Sequence, residues 1–89
     1  MNLRNRNVRR SLGLLECSGY QCLRLFRSDG WSLIGIAGAD VLLVKVTGEN
    51  WPAPEERETL QAFPCPPNCR KLVHRWRKGA RLPDVLILR

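Results

Sequence analysis

The chain has 89 residues, which is enough for one domain with a single modest core. Apolar residues make up 44% and charged residues 26%, so the composition is globular, and no apolar run approaches the roughly 20 residues that span a bilayer. These values exclude a disordered chain and a membrane-spanning helix. The net charge of +7 favours a partner that carries phosphate groups.

The basic residues are concentrated in two blocks that contain no acidic residue. The first block precedes Glu16 and consists of Arg4, Arg6, Arg9 and Arg10. The second block consists of Arg70, Lys71, Arg75, Arg77, Lys78 and Arg81. If the fold brings the two blocks together, they form the surface expected of a nucleic-acid-binding protein. The alternative is ordinary solubilising charge.

The N-terminus does not read as a signal peptide, because only four residues separate the arginines and Ser11 from Glu16, too few for an apolar export segment. We therefore expect a cytoplasmic protein whose thiols are reduced. A zinc site is the alternative use of these thiols, with His74 in reserve, but neither pair has the C-x2-C spacing. We expect no metal and free thiols that act as small core residues at the four cysteines, Cys17, Cys22, Cys65 and Cys69.

A first helix is predicted over residues 8–18. Val8, Leu12 and Leu15 are spaced so that they form one apolar stripe, and Gly19 is expected to end the helix. Residues 1–7 are expected to form a basic, flexible N-terminal arm of a single domain that spans residues 1–89.

Five strands and a second helix follow. Strands are predicted over 20–27, 31–37 and 40–46, with turns at 28–30 and at Gly38, and the β-branched third run is expected to be the centre of the sheet. A helix is predicted over 54–63, since Pro54 suits a first turn and Pro64 ends it. Strands over 70–77 and 85–88 complete an α/β (α+β) fold in which helices flank a mixed sheet.

The order of these elements resembles the small Holliday-junction-resolvase-like branch, of archaeal resolvase type, of the PD-(D/E)XK nucleases, and the resemblance covers about residues 8–88. Its strength lies in the order and spacing of short motifs. The motifs are Gly19-Tyr20-x-Cys22-x-Arg24, Ser28-x-Gly30, Trp31-x-Leu33-Ile34, Asp40-Val41-Leu42-Leu43-Val44-x-Val46, Trp51-Pro52 with Glu55 and Glu58, and the run from Cys69 to Arg77.

The resemblance implies a restriction-endonuclease-like core and a metal site. In that superfamily a carboxylate ends the second strand, and the third strand carries an acid or glutamine and, two residues on, a lysine, so that both lie on one face. The carboxylates hold Mg²⁺ against the scissile phosphate, and the lysine orients or activates the attacking water. An acid on the first helix often completes the site.

None of these functional positions keeps its expected residue in this chain. The aspartate position falls on Ser32, the acid-or-glutamine position on Lys45, the lysine position on Thr47 and the helix acid on Val8. The resemblance therefore transfers no catalytic role. Asp29 and Glu49 could lie near one end of the sheet and serve as substitute acids, in which case Mg²⁺ would be the cofactor; otherwise they are solvated turn acids and no cofactor is expected.

Lys45 suggests a different use of the same face. An ammonium group at the metal ligand's position would repel a divalent cation and could contact a phosphate instead. The alternative is a lysine that extends into solvent from a half-buried strand. The expected nucleic-acid contacts are Arg9, Arg10, Arg27, Lys45, Arg75, Arg77 and Lys78.

The remaining chemistry-bearing residues are expected to pack. Sequence spacing gives His74 no nucleophile or carboxylate partner, so it is expected inside the sheet rather than as a general base. Trp31 and Trp76 are expected in the core, and Trp51 is expected to be exposed.

Three functions follow from these predictions. The first is a nucleic-acid-binding, resolvase-like domain, acting on DNA, with impaired or lost cleavage. The second is an active, metal-dependent, structure-selective endonuclease that uses unusual acids. The third is a dimeric protein-interaction scaffold. A homodimer is expected because a chain of this length builds a small core, and neither a membrane nor a small-molecule substrate is expected.

Overall fold

The computed structural model describes the backbone of residues 3–25 and 30–89, with side chains from residue 6 onward within these ranges. Within these ranges the chain forms two helices and five strands, three of the strands between the helices and two after the second helix. Their bounds, in chain order, are α1 Leu3–Cys17, β1 Gln21–Arg24, β2 Leu33–Ala37, β3 Asp40–Thr47, α2 Pro54–Ala62, β4 Cys69–Arg75 and β5 Asp84–Leu88.

The strands form one sheet in the order β1-β2-β3-β4-β5. Neighbouring strands are antiparallel except β3 and β4, which are parallel and are joined through α2. The predicted central position of the third strand is confirmed, because β3 pairs with a strand on each side. The predicted mixed α/β (α+β) architecture is confirmed as well.

The two faces of the sheet carry separate apolar clusters. One cluster unites α1 with the sheet through Val8, Leu15, Leu33, Leu42, Val44, Val46, Leu72 and Trp76. The other packs Leu60 of α2 against Trp31, Val73 and Leu88. Leu43 packs against the second cluster, so alternate residues of β3 face opposite helices. The expected burial of Trp31 and Trp76 is confirmed.

Helix α1 begins at Leu3, so the predicted start near residue 8 is wrong. Residues 3–7 continue the helix because arginine, leucine and asparagine carry no penalty that would stop it, whereas sequence periodicity sees only the apolar stripe. At the other end Gly19 adopts a φ of 96°, and the Tyr20 N–H donates to the Leu15 carbonyl at 3.1 Å. The predicted glycine cap is thereby confirmed.

The other boundaries agree with the predictions or differ from them by up to three residues. Strand β1 ends at Arg24, β2 begins only at Leu33, and β4 ends at Arg75. The predicted part of the first strand at 26–27 and the turn residues 28–29 lie outside the described ranges. Within the described ranges neither helix is long and apolar enough to cross a membrane.

Candidate nucleic-acid interface

A cavity of about 270 Å³ lies at the C-terminal end of β3, where the resemblance implies a metal site. We call it the β3 cavity. Its lining comes from α1, β3, the corner that follows β3, and the first turn of α2. The lining residues are Asn7, Lys45, Val46, Thr47, Gly48, Asn50, Trp51, Pro52, Ala53 and Glu56.

Ser32, which the resemblance places at the aspartate position, makes two hydrogen bonds to the backbone of β3. Its Oγ accepts a hydrogen bond from the backbone N–H of Val46 at 3.0 Å, and its own N–H donates to the Val44 carbonyl at 2.8 Å. The serine hydroxyl thus acts as the acceptor that a backbone carbonyl supplies in a regular ladder. Ser32 extends the pairing of β2 and β3 beyond the start of β2.

Lys45 is buried, and its side chain is only 7% exposed. Its Nζ lies 3.5 Å from Oε2 of Glu56, whose side chain is 44% exposed. The alternative in which Lys45 extends into solvent is therefore wrong. A buried ammonium needs a counter-charge, and the first turn of α2 supplies it.

The remaining cavity residues contribute neutral polar groups. Thr47 lines the cavity, and its Oγ1 is buried with no hydrogen-bond partner among the described residues. Asn7 on α1 lines the cavity too, whereas Val8, the position obtained by counting, packs in the core. The position of the helix acid was therefore predicted one residue too late, at Val8 instead of Asn7. The helical period could have corrected this, because it assigns Val8 to the apolar stripe that faces the core.

These residues do not fit a magnesium site. Mg²⁺ prefers carboxylate oxygens, and Glu56, the only carboxylate among the described residues that line the β3 cavity, already pairs with Lys45. Across the described part of the chain no three His, Cys, Asp or Glu side chains gather in a way that could hold a metal ion. A lysine ammonium in the cavity disfavours a divalent cation further.

A second, larger cavity of about 570 Å³ adjoins the first and shares Asn7 and Gly48 with it. We call it the basic groove. Of its lining side chains that the structure describes, four are cationic and one is acidic. The lining residues are Arg6, Asn7, Arg10, Gly48, Glu49, Trp76, Arg77, Lys78, Gly79 and Ala80. The fold therefore brings the N-terminal basic block beside the C-terminal one.

Arg10 forms one wall of the groove. Its guanidinium carbon lies 4.0 Å from the centre of the Trp76 ring, and the guanidinium donates a hydrogen bond to the Ala80 carbonyl. Stacking on tryptophan fixes the guanidinium plane and leaves the remaining donors available. The adjacent Arg9 is exposed on α1 and does not line the groove.

The acidic residues near the groove are already engaged. Glu49, a candidate substitute acid, accepts a hydrogen bond from the Lys78 N–H at 2.5 Å. Asp84 pairs with Arg75 at 2.7 Å and with Arg77 at 3.0 Å, and the Arg75 hydrogen bond, together with both nearby guanidinium charges, lowers the pKa of the Asp84 carboxyl. Asp29 and Arg27, the other predicted site residues of this region, lie outside the described ranges.

Arg75 and Trp51 lie between the two cavities and β5. The Arg75 guanidinium carbon lies 4.4 Å from the Trp51 ring centre, while the same side chain holds Asp84. The Trp51 side chain is 37% exposed, so its predicted exposure is confirmed. Arg77 is the more available of the two arginines, since its side chain is 58% exposed.

His74 is buried beneath the groove rather than open to it. Its Nδ1 lies 3.0 Å from the Ser11 hydroxyl, which also accepts a hydrogen bond from Trp76 Nε1–H at 2.7 Å. Burial lowers the pKa of His74 to about 4. The sequence spacing missed Ser11 as a partner, but both groups are buried, so the pair has no access to a substrate.

The cysteines are free thiols, but the prediction that they are core residues is wrong, because Cys17 is exposed at the end of α1 and the other three are only half-buried. Burial and a hydrogen bond with the Cys65 thiol raise the pKa of Cys69 to about 11. Burial and the charge of Glu16 raise the pKa of Cys22 as well. Such thiols are weaker nucleophiles than an ordinary cysteine at neutral pH.

Comparisons with known proteins support the fold and not a closer relationship. No protein-family model and no curated protein matches the sequence. Among solved structures the chain is similar to Hjc of Archaeoglobus fulgidus, a Holliday junction resolvase from an archaeal hyperthermophile, with a TM-score of 0.78 and 18% sequence identity. The alignment covers 98% of this chain and 74% of Hjc. The resolvase-like nuclease fold predicted for this chain is confirmed.

Proposed function

We propose that this protein is a nucleic-acid-binding domain, acting on DNA, that has the fold of a Holliday junction resolvase without the superfamily's metal-dependent cleavage site. The observation that carries the proposal is the basic groove. Two basic sequence blocks line it together, and it opens next to the β3 cavity. A phosphate backbone along the groove would meet Arg6, Arg10, Arg77 and Lys78.

The absence of cleavage is proposed from the residues that occupy the family positions. Ser32 is bonded to the Val46 backbone, Lys45 is a cation, and Thr47 is a neutral hydroxyl. The similarity to a resolvase supports a branched DNA as the first ligand to test. No metal cofactor is required for binding of this kind.

The binding test uses fluorescence anisotropy with a four-way junction, a linear duplex and a single strand of equal length. The affinity is expected to fall with salt by about 0.9 log unit per log unit of salt for each phosphate contact. Arg77→Ala combined with Lys78→Ala is expected to weaken binding, because both side chains line the groove. A matched control is Arg57→Ala combined with Arg89→Ala, which also removes two charges, from exposed residues that do not line the groove. Equal affinity of the groove variant and the control would contradict the proposed surface.

The cleavage test uses the same junction and a supercoiled plasmid, each with Mg²⁺ and with Mn²⁺. No turnover is expected above that of a buffer control. Cleavage that a chelator abolishes, and that Glu49→Gln or Asp29→Asn removes, would contradict the loss of activity.

The proposal includes a homodimer and a cytoplasmic location. The edge strand β5 exposes Val85 and Ile87, and Leu82 is exposed just before it, which supports a partner surface there. Four free thiols are compatible with a reducing compartment. Light scattering coupled to size exclusion tests the dimer; a monomer at all concentrations up to the millimolar range would contradict it.

A further inference from the structure

The ion pair between Lys45 and Glu56 is asymmetric. The lysine side chain is 7% exposed and is fixed by the strand and the cavity walls, whereas the glutamate side chain is 44% exposed on the first turn of α2. The Glu56 carboxylate can rotate into water and stay solvated, whereas the Lys45 ammonium has no solvated alternative. The lysine therefore requires an anion, and Glu56 is an anion that can leave.

The rest of the β3 cavity offers groups suited to an oxyanion. The Thr47 hydroxyl oxygen is buried with no partner in the described ranges. The N-cap residue of α2 is Ala53, whose methyl group cannot accept a hydrogen bond from the N–H groups of the first turn. Donors of this kind bind phosphate in many proteins. Within the described part of the chain, Glu56 is the only anion that lines the cavity.

The cavity is also continuous with the proposed binding surface. Asn7 and Gly48 line both the β3 cavity and the basic groove. A strand held by Arg77 and Lys78 would therefore run past the mouth of the cavity that contains Lys45. The cavity volume of about 270 Å³ is large enough for one phosphate group.

We propose that Glu56 is a carboxylate latch on Lys45: in the free protein it occupies the position that one backbone phosphate of the bound nucleic acid takes, and binding turns Glu56 out into solvent. This inference rests on the proposed function. It explains how a lysine that is buried and paired in the free protein contributes to binding. The latch would also regulate affinity, because the complex loses one phosphate contact when Glu56 returns to Lys45.

The decisive comparison is between two glutamates of the same helix. Glu56→Gln opens the latch, and Glu58→Gln removes the same charge from an exposed position that does not line the cavity. The long-range effect of a lost negative charge is similar in both variants. We expect Glu56→Gln to bind the junction about threefold to fivefold more tightly than Glu58→Gln does. Equal affinities of the two variants would overturn the latch.

A second comparison identifies Lys45 as the group that is released. Lys45→Met keeps the length of the side chain and removes its charge, so the effect of Glu56→Gln should disappear in the Lys45→Met background. The salt dependence should be steeper in Glu56→Gln than in the double variant, by about 0.9 in the logarithmic slope. Circular dichroism identifies a double variant that does not fold, and the Glu56 and Glu58 comparison then decides alone.

The two proposals fail in different ways. If neither the wild-type protein nor any variant shows salt-dependent binding, the proposed function is contradicted and the latch with it. The latch alone is overturned if Arg77→Ala with Lys78→Ala weakens salt-dependent binding but Glu56→Gln and Glu58→Gln change it equally. The proposed function then stands.

Discussion

The Ser11 hydroxyl lies 3.0 Å from His74 Nδ1, and it joins helix α1 to strand β4 through a bond between two buried side chains. The same oxygen accepts the Trp76 indole N–H, so its own hydrogen is available to an unprotonated Nδ1. If Nδ1 carried a proton, the Ser11 oxygen could accept from both rings, but the hydrogen of the hydroxyl would lose Nδ1 as its acceptor in a site without water access. The arrangement therefore suits neutral histidine.

The first prediction concerns the pH dependence of stability. The pKa of His74 is about 4 in the folded protein and about 6.5 in the unfolded chain, so between these values the unfolded state binds more protons. Stability is therefore expected to fall as pH decreases from about 6.5 to 4, by up to about 3 kcal/mol. Urea unfolding at closely spaced pH values measures it.

The control for this pH window is His74→Gln, which cannot be protonated. The variant should lose the dependence between about pH 6.5 and 4 and keep that of Asp84, whose lowered pKa gives stability that is lost as the pH falls below the ordinary aspartate pKa. An unchanged slope in the variant would show that another group titrates there.

The second prediction concerns the hydroxyl itself. Ser11→Ala leaves the Trp76 indole N–H and the His74 ring buried without this partner, and is expected to destabilise the fold by about 2 to 3 kcal/mol. Ser18→Ala is the matched control, because the Ser18 hydroxyl donates to the Leu14 carbonyl at an exposed helix end. Its expected cost is below about 0.5 kcal/mol. Equal unfolding midpoints would contradict a central role for Ser11.

The fold was largely predictable from local patterns. The β-branched run of β3 correctly predicted the centre of the sheet, and Gly19 correctly predicted the end of α1. The start of α1 was not predictable from the apolar period, because residues 3–7 precede the first residue of the stripe, Val8. Local propensity alone did not separate a charged arm from a charged helical turn.

The candidate site was less predictable, because its contacts join residues that are distant in the sequence. The pair of Lys45 and Glu56 depends on the corner at 48–53 that turns α2 back over β3. The pair of Ser11 and His74 joins residues 63 positions apart. Patterns of residue types identify which positions differ from a nuclease family, whereas partners of a side chain follow from sheet register and helix placement.

The third prediction concerns metal binding at the β3 cavity. The wild-type protein is expected to bind no Mn²⁺ there, since Lys45 supplies a positive charge and Glu56 is paired with it. Lys45→Glu places a second carboxylate beside Glu56 and should create a weak cation site, with a dissociation constant on the order of a millimolar. Calorimetry or Mn²⁺ relaxation measures it. The control Lys45→Gln removes the ammonium without adding a ligand charge, and binding equal to that of Lys45→Glu would contradict the interpretation.

The fourth prediction separates two neighbouring arginines of α1. Arg10 stacks on Trp76 and donates to the Ala80 carbonyl, whereas Arg9 is exposed outside the groove. Arg10→Ala is expected to lower the free energy of unfolding by about 1 kcal/mol and to weaken junction binding, because it removes both a cation–π contact and a groove cation. Arg9→Ala makes the same change in net charge and is expected to leave stability within about 0.5 kcal/mol of the wild type.

Urea unfolding and anisotropy on the same preparations test both effects. If Arg9→Ala weakens binding as much as Arg10→Ala does, net charge rather than the geometry of the groove determines affinity, and the contact surface must be redrawn to include the outer face of α1.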